Sequence, residues 1–327
     1  MKINYGFRQG EVHRVDDDSA PIRVYSAPTR EEREELRYAL NLDDYDLDAA
    51  LDPEEIPRLE FGEHGAANII WKRPKNVSIG AQLRFDVSSM GMFIRPYTVV
   101  LVTADSEPDF GERDFRGVHT LNDLLLKLLL HTVHHYLGHL KVIKQINAEL
   151  GSKISVSMEN RYYLQMLALS ESLIYYVDGI EANVAVLTKL RASTHRLELN
   201  PVQTDALHDI VLDMQQCARQ AAIYSSVLSG LMDARGAIIN NNVNTLLKNL
   251  TLISVIFLPL NLVASIGGMS EFSAWTAGLD WRVSYGLLVI GMTIAGWFGL
   301  RLIVRLASGR GLGWHWLRWP RRLRRQR

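Results

Sequence analysis

Four polar side chains interrupt an otherwise apolar stretch from Leu250 to Met269: Thr251, Ser254, Asn261 and Ser265. With Asn244 as origin and 100° per residue, they share an arc of about 80°, and Leu247 and Leu258 lie on the same stripe. Such a stripe gives a lone helix in lipid nothing. Two readings fit it. Small and polar residues can glue membrane helices together. Alternatively, several copies surround a common axis and line a pore with rings of hydroxyl and amide groups, narrowed by Leu247, Leu250 and Leu258 as hydrophobic constrictions. With two apolar spans per chain, a pore requires oligomerisation.

Two further groups have ligand spacing. His131, His134, His135 and His139 fall within HTVHHYLGH, and His131/His135 and His135/His139 are i, i+4 pairs. They form either a packed or solvated helix face, or a pH-responsive site, or a site for Zn²⁺, Ni²⁺ or Co²⁺, which imidazole favours over Mg²⁺. Asp205, Asp209 and Asp213 repeat at i, i+4, i+8 as one acidic stripe, a solvated face in its simplest reading. Met158, Met166, Met214 and Met232 read as core fillers. No glycine-rich phosphate loop, nucleophile elbow or Cys/His zinc pattern is visible, so an enzyme and a bound cofactor are not expected.

The elements carrying these residues follow from patterning. The 20 residues Leu250–Met269 span ~30 Å as a helix, the thickness of a bilayer's hydrocarbon core. A second apolar span runs from Val283 to Leu300. The 327 residues carry no formal net charge, but the segment from Leu250 holds ten basic residues against Glu271 and Asp280, so the remainder is acidic. That distribution argues against nucleic acid as a partner. One cysteine, Cys217, excludes an intrachain disulfide. The N-terminal residues show no apolar secretory signal. Arginines after Leu300, with Trp314, Trp316 and Trp319, form a basic tail, while Ser270–Trp281 holds no Lys or Arg. The positive-inside rule then places both termini in the cytoplasm and the short loop outside, and the tail reads either as an anchor at the anionic inner leaflet or as disordered polybasic sequence.

The expected architecture is α+β. Residues 1–117 form a cytoplasmic α/β domain, with a helix over Thr29–Leu42 and strands at Ala67–Lys72, Val77–Phe85 and Met92–Val102. Pro96 marks an edge or bulge in the last of these. Asp105–Gly117 reads as a loop. Residues 118–200 are helical, over Leu121–Asn147 with Gly151 as a stop and over Val156–Leu190. Asn200-Pro201 starts a stalk helix over 201–249. The first membrane helix is 250–269, an extracytoplasmic loop 270–282, the second membrane helix 283–300 and the basic tail 301–327. If the stalk runs on to Ile266, the helix is ~100 Å long and needs partner helices.

From Asn240 to Ser270 the sequence resembles the CorA family of divalent-cation channels and transporters, which includes the ZntB zinc transporters; a CmaX-like branch is the nearest expectation within it. The matching features are two C-terminal spans, a basic tail, Pro259-Leu260 inside the first span, and a Gly-Met-polar motif at its outer end. The family has Gly-Met-Asn there; this chain has Gly268, Met269 and Ser270. The resemblance implies a homopentameric funnel in the cell inner membrane, with first spans lining the pore, second spans facing lipid, and passage of Mg²⁺, or of Zn²⁺, Co²⁺ or Ni²⁺. It implies a pore asparagine at Asn244, an intracellular acid at Asp233, and regulation by internal divalent ions bridging subunits at Asp205, Asp209 and Asp213. Glu271 and Asp280, repeated around a pentamer, would concentrate cations at the outer mouth. A serine hydroxyl is shorter than an asparagine amide, so a Ser270 ring would hold hydrated Mg²⁺ through a wider or weaker ring. The alternatives are proton-coupled zinc uptake, and a membrane-anchored sensor or scaffold that conducts nothing.

Overall fold

The computed structural model describes residues 1–307 apart from 41, 43, 64, 76, 77, 80–82 and 155–159. Met158 and the basic tail from residue 308, with its tryptophans, lie outside the described residues. The chain divides into one unit over Met1–Arg235 and a second from Gly236.

The first unit is a sheet with helices on both faces. In chain order it contains β1 (Lys2–Arg8), β2 (Glu11–Arg14), β3 (Ile22–Ser26), α1 (Arg30–Leu40), α2 (Asp44–Leu51), β4 (Arg58–Phe61), β5 (Ala67–Pro74), β6 (Ser78–Ile79), β7 (Leu83–Arg84), β8 (Val87–Arg95) and β9 (Thr98–Thr103). Then follow α3 (Leu121–Ile154), α4 (Asn160–Ala192) and α5, which starts at Pro201. The main sheet has seven strands in the order β2-β1-β3-β9-β8-β5-β4, and only β3 and β9 pair in parallel. Alternation sorts the two faces. Ile69, Trp71, Met92, Ile94, Val99 and Leu101 join α3, α4 and α5 in one core. Ile70, Phe93, Val100 and Val102 meet α1 and α2 in another.

Helix starts follow the capping chemistry. Thr29 Oγ1 accepts from Glu32 N, and the Glu32 carboxylate accepts from Thr29 N at 2.8 Å. Thr120 and Asp123 repeat the device at α3. Asn200 and Gln203 repeat it at α5, where Gln203 Nε2 also donates to Asp123 Oδ1 at 2.7 Å. Two helix starts are thereby tied together. Beyond Ile70, β5 has no β4 partner, and the buried Asn183 amide of α4 takes over, bonding both Lys72 N and Lys72 O.

Three expectations change. Val77–Phe85 is not one strand: β6 and β7 lie within it and pair with each other antiparallel. Met92–Val102 is not one strand: the chain turns at Pro96-Tyr97 between β8 and β9. Proline lacks an N–H for a ladder, and its fixed φ suits a turn. The first strand of that hairpin starts earlier, at Val87. Gly151 does not stop its helix, which runs to Ile154. A mid-helix glycine costs only about 1 kcal/mol, while neighbouring Leu150 is buried and Gly151 lies against Leu231 of α5. The N-terminal strands β1–β3, β4 and helix α2 were not anticipated.

The second unit holds the end of α5, which runs unbroken to Gly267 through Pro259, with α6 (Ser270–Trp275) and α7 (Trp281–Ala307). The expected loop over 270–282 therefore contains a short helix. α5 and α7 are both long and apolar enough to cross a membrane. They approach through glycines: a Cβ on Gly267 would lie 2.5 Å from Leu288 Cδ2, and one on Gly296 3.2 Å from Leu260 Cδ1.

Candidate functional site

Which side of α5 does α7 cover? In the apolar stretch, Leu252, Ile256, Leu260 and Gly267 are the α5 positions that lose exposure. On the angular scale used above they centre near 125°, whereas Thr251, Ser254, Asn261 and Ser265 centre near 295°. The polar stripe therefore lies on the face of α5 turned away from α7. Leu247, Leu250 and Leu258 share that open side, and Leu258 is 73% exposed. Asn244 is exposed on the preceding turns.

Of the stripe, Thr251 satisfies itself by donating to Leu247 O at 2.8 Å. Among the described residues the Ser254, Asn261 and Ser265 side chains have no hydrogen-bond partner. An amide such as Asn261 held in hydrocarbon without a partner costs several kcal/mol. Within one chain, these three polar groups stay open on the uncovered face.

At the end of α5, Gly268 N donates to Ala264 O and Ser265 O, and Met269 N to Ile266 O. Met269 turns extended, and Ser270 opens α6 with its hydroxyl on Glu271 Oε2 at 3.2 Å. Gly268, Met269 and Ser270 thus form the turn that ends the polar face. Asp280 caps α7 by accepting from Arg282 N at 3.0 Å. Glu271 and Asp280 are both exposed.

The first unit holds a second concentration of chemistry. A pocket of about 580 Å³ opens between the β9–α3 connection and α3. His131, His135 and His139 follow one another along it, with His135 and His139 edge to face at 4.5 Å between centroids. His139 Nδ1 is taken by Tyr176 Oη at 2.6 Å. Burial, with the neighbouring His139 and His131, pushes His135 down to about 4, and burial lowers His139 as well. These two rings are neutral and packed. His131 instead turns Nδ1 to Glu112 Oε2 and Asp114 Oδ2, each at 3.4 Å, and His134 Nδ1 meets the same Asp114 oxygen at 3.0 Å. Burial alone would raise Asp114, but the bonds from His134 and His131 outweigh it and hold the carboxyl low. Among the described residues, Glu112, Asp114 and His131 are the group whose ligand atoms converge, all within 4.8 Å. Helical spacing pointed to His131 with His135 and His139. The two acids were missed because they come from the preceding loop, whose richness in Asp and Glu was the one available signal.

Asp205 and Asp209 of α5 are exposed and Asp213 is half-buried; they do not converge within one chain. Asp233 is exposed further along the helix.

Comparison with known proteins agrees with this architecture. A family model described as CorA-like Mg²⁺ transporter protein matches residues 24–305. The cobalt/magnesium transport protein CorA of Methanocaldococcus jannaschii is 24% identical over 257 residues, covering 74% of this chain and 77% of that protein. The complete structure of the CorA magnesium transporter from the same organism aligns with a TM-score of 0.74 at 20% identity, covering 95% of this chain and 98% of that one. The structure of full-length CmaX aligns with a TM-score of 0.69 at 16% identity, covering 92% and 98%.

Proposed function

This chain belongs to the family of CorA-like Mg²⁺ transporter proteins, and from that membership we propose that it passes divalent cations through a pore built by several copies of α5. The observation that carries the proposal is the placement of Thr251, Ser254, Asn261 and Ser265 on the face of α5 opposite α7. A hairpin that only anchored a scaffold would gain nothing from leaving an amide and hydroxyls open on its uncovered side. In a ring of copies, that face meets its equivalents around a water-filled axis, and α7 lies outside against lipid.

Five copies in the cell inner membrane, with both termini cytoplasmic, is the assembly supported by the family resemblance and the arginine distribution. Mg²⁺ is the favoured cargo. Oxygen donors alone suit a hard ion that keeps its water, and the M. jannaschii relative is described as a cobalt/magnesium transport protein. Leu247, Leu250 and Leu258 would form the constrictions, Gly268-Met269-Ser270 the outer selectivity turn, and Glu271 and Asp280 the acids around its mouth. Asp205, Asp209, Asp213 and Asp233 would meet divalent ions between subunits.

Reconstituted vesicles loaded with a cation-sensitive dye test this directly. Mg²⁺ or Co²⁺ should enter above the rate of empty vesicles, and Leu258→Ala should raise the flux by widening a constriction. Absence of flux from both proteins, with folding confirmed, would leave the non-conducting scaffold. A flux that rises with an imposed pH gradient would instead favour proton-coupled zinc uptake.

A further inference from the structure

We propose that Glu112, Asp114 and His131 form a binding site for a Zn²⁺-class transition ion in the sheet unit, distinct from the residues proposed to conduct. Geometry carries the assignment. Ligands about 2.05 Å from a tetrahedral ion are separated from each other by ~3.3–3.4 Å. His131 Nδ1 stands 3.4 Å from both Glu112 Oε2 and Asp114 Oδ2. Two edges of the tetrahedron are therefore already set before any ion arrives.

The third edge, between the two carboxylate oxygens, is within 4.8 Å, and the Glu112 side chain, 52% exposed, has room to adjust. His131 and Asp114, at 20% and 23%, are held more firmly. Phe115 packs on the His131 ring at 5.2 Å and fixes its plane. His134 bonds the ligating oxygen of Asp114 at 3.0 Å and so orients that carboxylate from outside the site. The ion takes the lone pair on His131 Nδ1, leaving the ring proton on Nε2. Three protein ligands leave a fourth position for water, open to the 580 Å³ pocket. The pocket wall carries five carboxylates, from Asp105 to Asp114, against Arg73 and Lys75, so its field favours a cation. A nitrogen donor beside two carboxylates selects Zn²⁺, Co²⁺ or Ni²⁺ over Mg²⁺, which prefers an all-oxygen octahedron.

Co²⁺ serves as the probe, titrated into the purified full-length protein in detergent with Mg²⁺ in large excess. The parent protein should show the d–d absorption of tetrahedral Co²⁺ at one ion per chain, bleached by Zn²⁺. His131→Ala and Glu112→Gln should each remove that signal. His134→Ala should weaken binding about 10- to 100-fold, as loss of an outer partner does. His135→Ala should leave it in place. Glu112 is exposed and outside the core, so its variant guards against a folding artefact in His131→Ala. Unchanged Co²⁺ stoichiometry and affinity in Glu112→Gln and His131→Ala, displacement of Co²⁺ by Mg²⁺, or loss of the signal only in His135→Ala would each overturn the assignment.

Discussion

If the polar stripe of α5 faces water, single cysteines along it should react with a polar thiol reagent at a spacing of three and four residues. The native thiol makes the experiment clean. Cys217 is buried in α5, and burial pushes its thiol up to about 12. At pH 8 its thiolate fraction is then ~10⁻⁴, against about a quarter for a water-facing cysteine near 8.5. Since the thiolate is the reacting form, Cys217 contributes a background roughly 2,000-fold below a pore-facing thiol and need not be removed. Thr251→Cys, Ser254→Cys, Leu258→Cys, Asn261→Cys and Ser265→Cys should therefore label in reconstituted vesicles. Leu252→Cys, Ile256→Cys and Leu260→Cys lie on the side that α7 covers, away from water and reagent, and should stay near background. Rates are read by mass shift against time, and labelling at the first five positions should block cation entry. Uniformly slow labelling at all eight positions would mean that no water reaches the stripe, and the helix-glue reading would stand. Fast labelling centred on Leu252, Ile256 and Leu260 would refute the angular assignment itself.

Other consequences are smaller in scope. A Cβ on Gly91 of β8 would lie 2.6 Å from Ala50 Cβ and 2.8 Å from the Phe93 ring. Neither neighbour has a flexible end, so Gly91→Ala should cost about 1–3 kcal/mol, in a thermal melt, with partial rescue by Ala50→Gly. His135 is depressed to about 4 in the folded protein, below the ~6.5 of the unfolded chain. The unfolded state therefore binds the extra proton first, and stability should fall as pH drops from about 6.5 towards 4. Discounted for partial exposure, the loss is of order 1–2 kcal/mol, and His135→Gln should flatten the profile of melting temperature against pH. Ser270→Asn should tighten Mg²⁺ competition against Co²⁺ entry, because an amide reaches further than a hydroxyl and offers both donors and an acceptor; an unchanged competition curve would mean that this turn does not contact the ion.

What the sequence reveals differs between the two units for a physical reason. Membrane spans are written in composition and period, so the apolar runs, the Pro259 position and the stripe of Thr251, Ser254, Asn261 and Ser265 could be read without coordinates. Capping signals are equally local, and Thr29, Asn200 and Pro201 mark helix starts that the structure retains. The sheet was harder because pairing is non-local. The edge strands β2 and β4 have four residues each, too few for alternation to stand out, β3 is defined by its parallel pairing with β9 far along the chain, and one proline inside an apolar run means a turn rather than a bulge. The same division governs the sites. Helical spacing put His131, His135 and His139 on one face. It could not show that Tyr176 of α4 occupies His139, or that the β9–α3 connection brings Glu112 and Asp114 to His131. The stripe on α5 has the converse property: its period was legible, but its meaning depended on which face α7 covers. That face is the opposite one, so within a single chain the Ser254 and Ser265 hydroxyls and the Asn261 amide stay open, and the proposed ring of α5 copies is what would bring them to water.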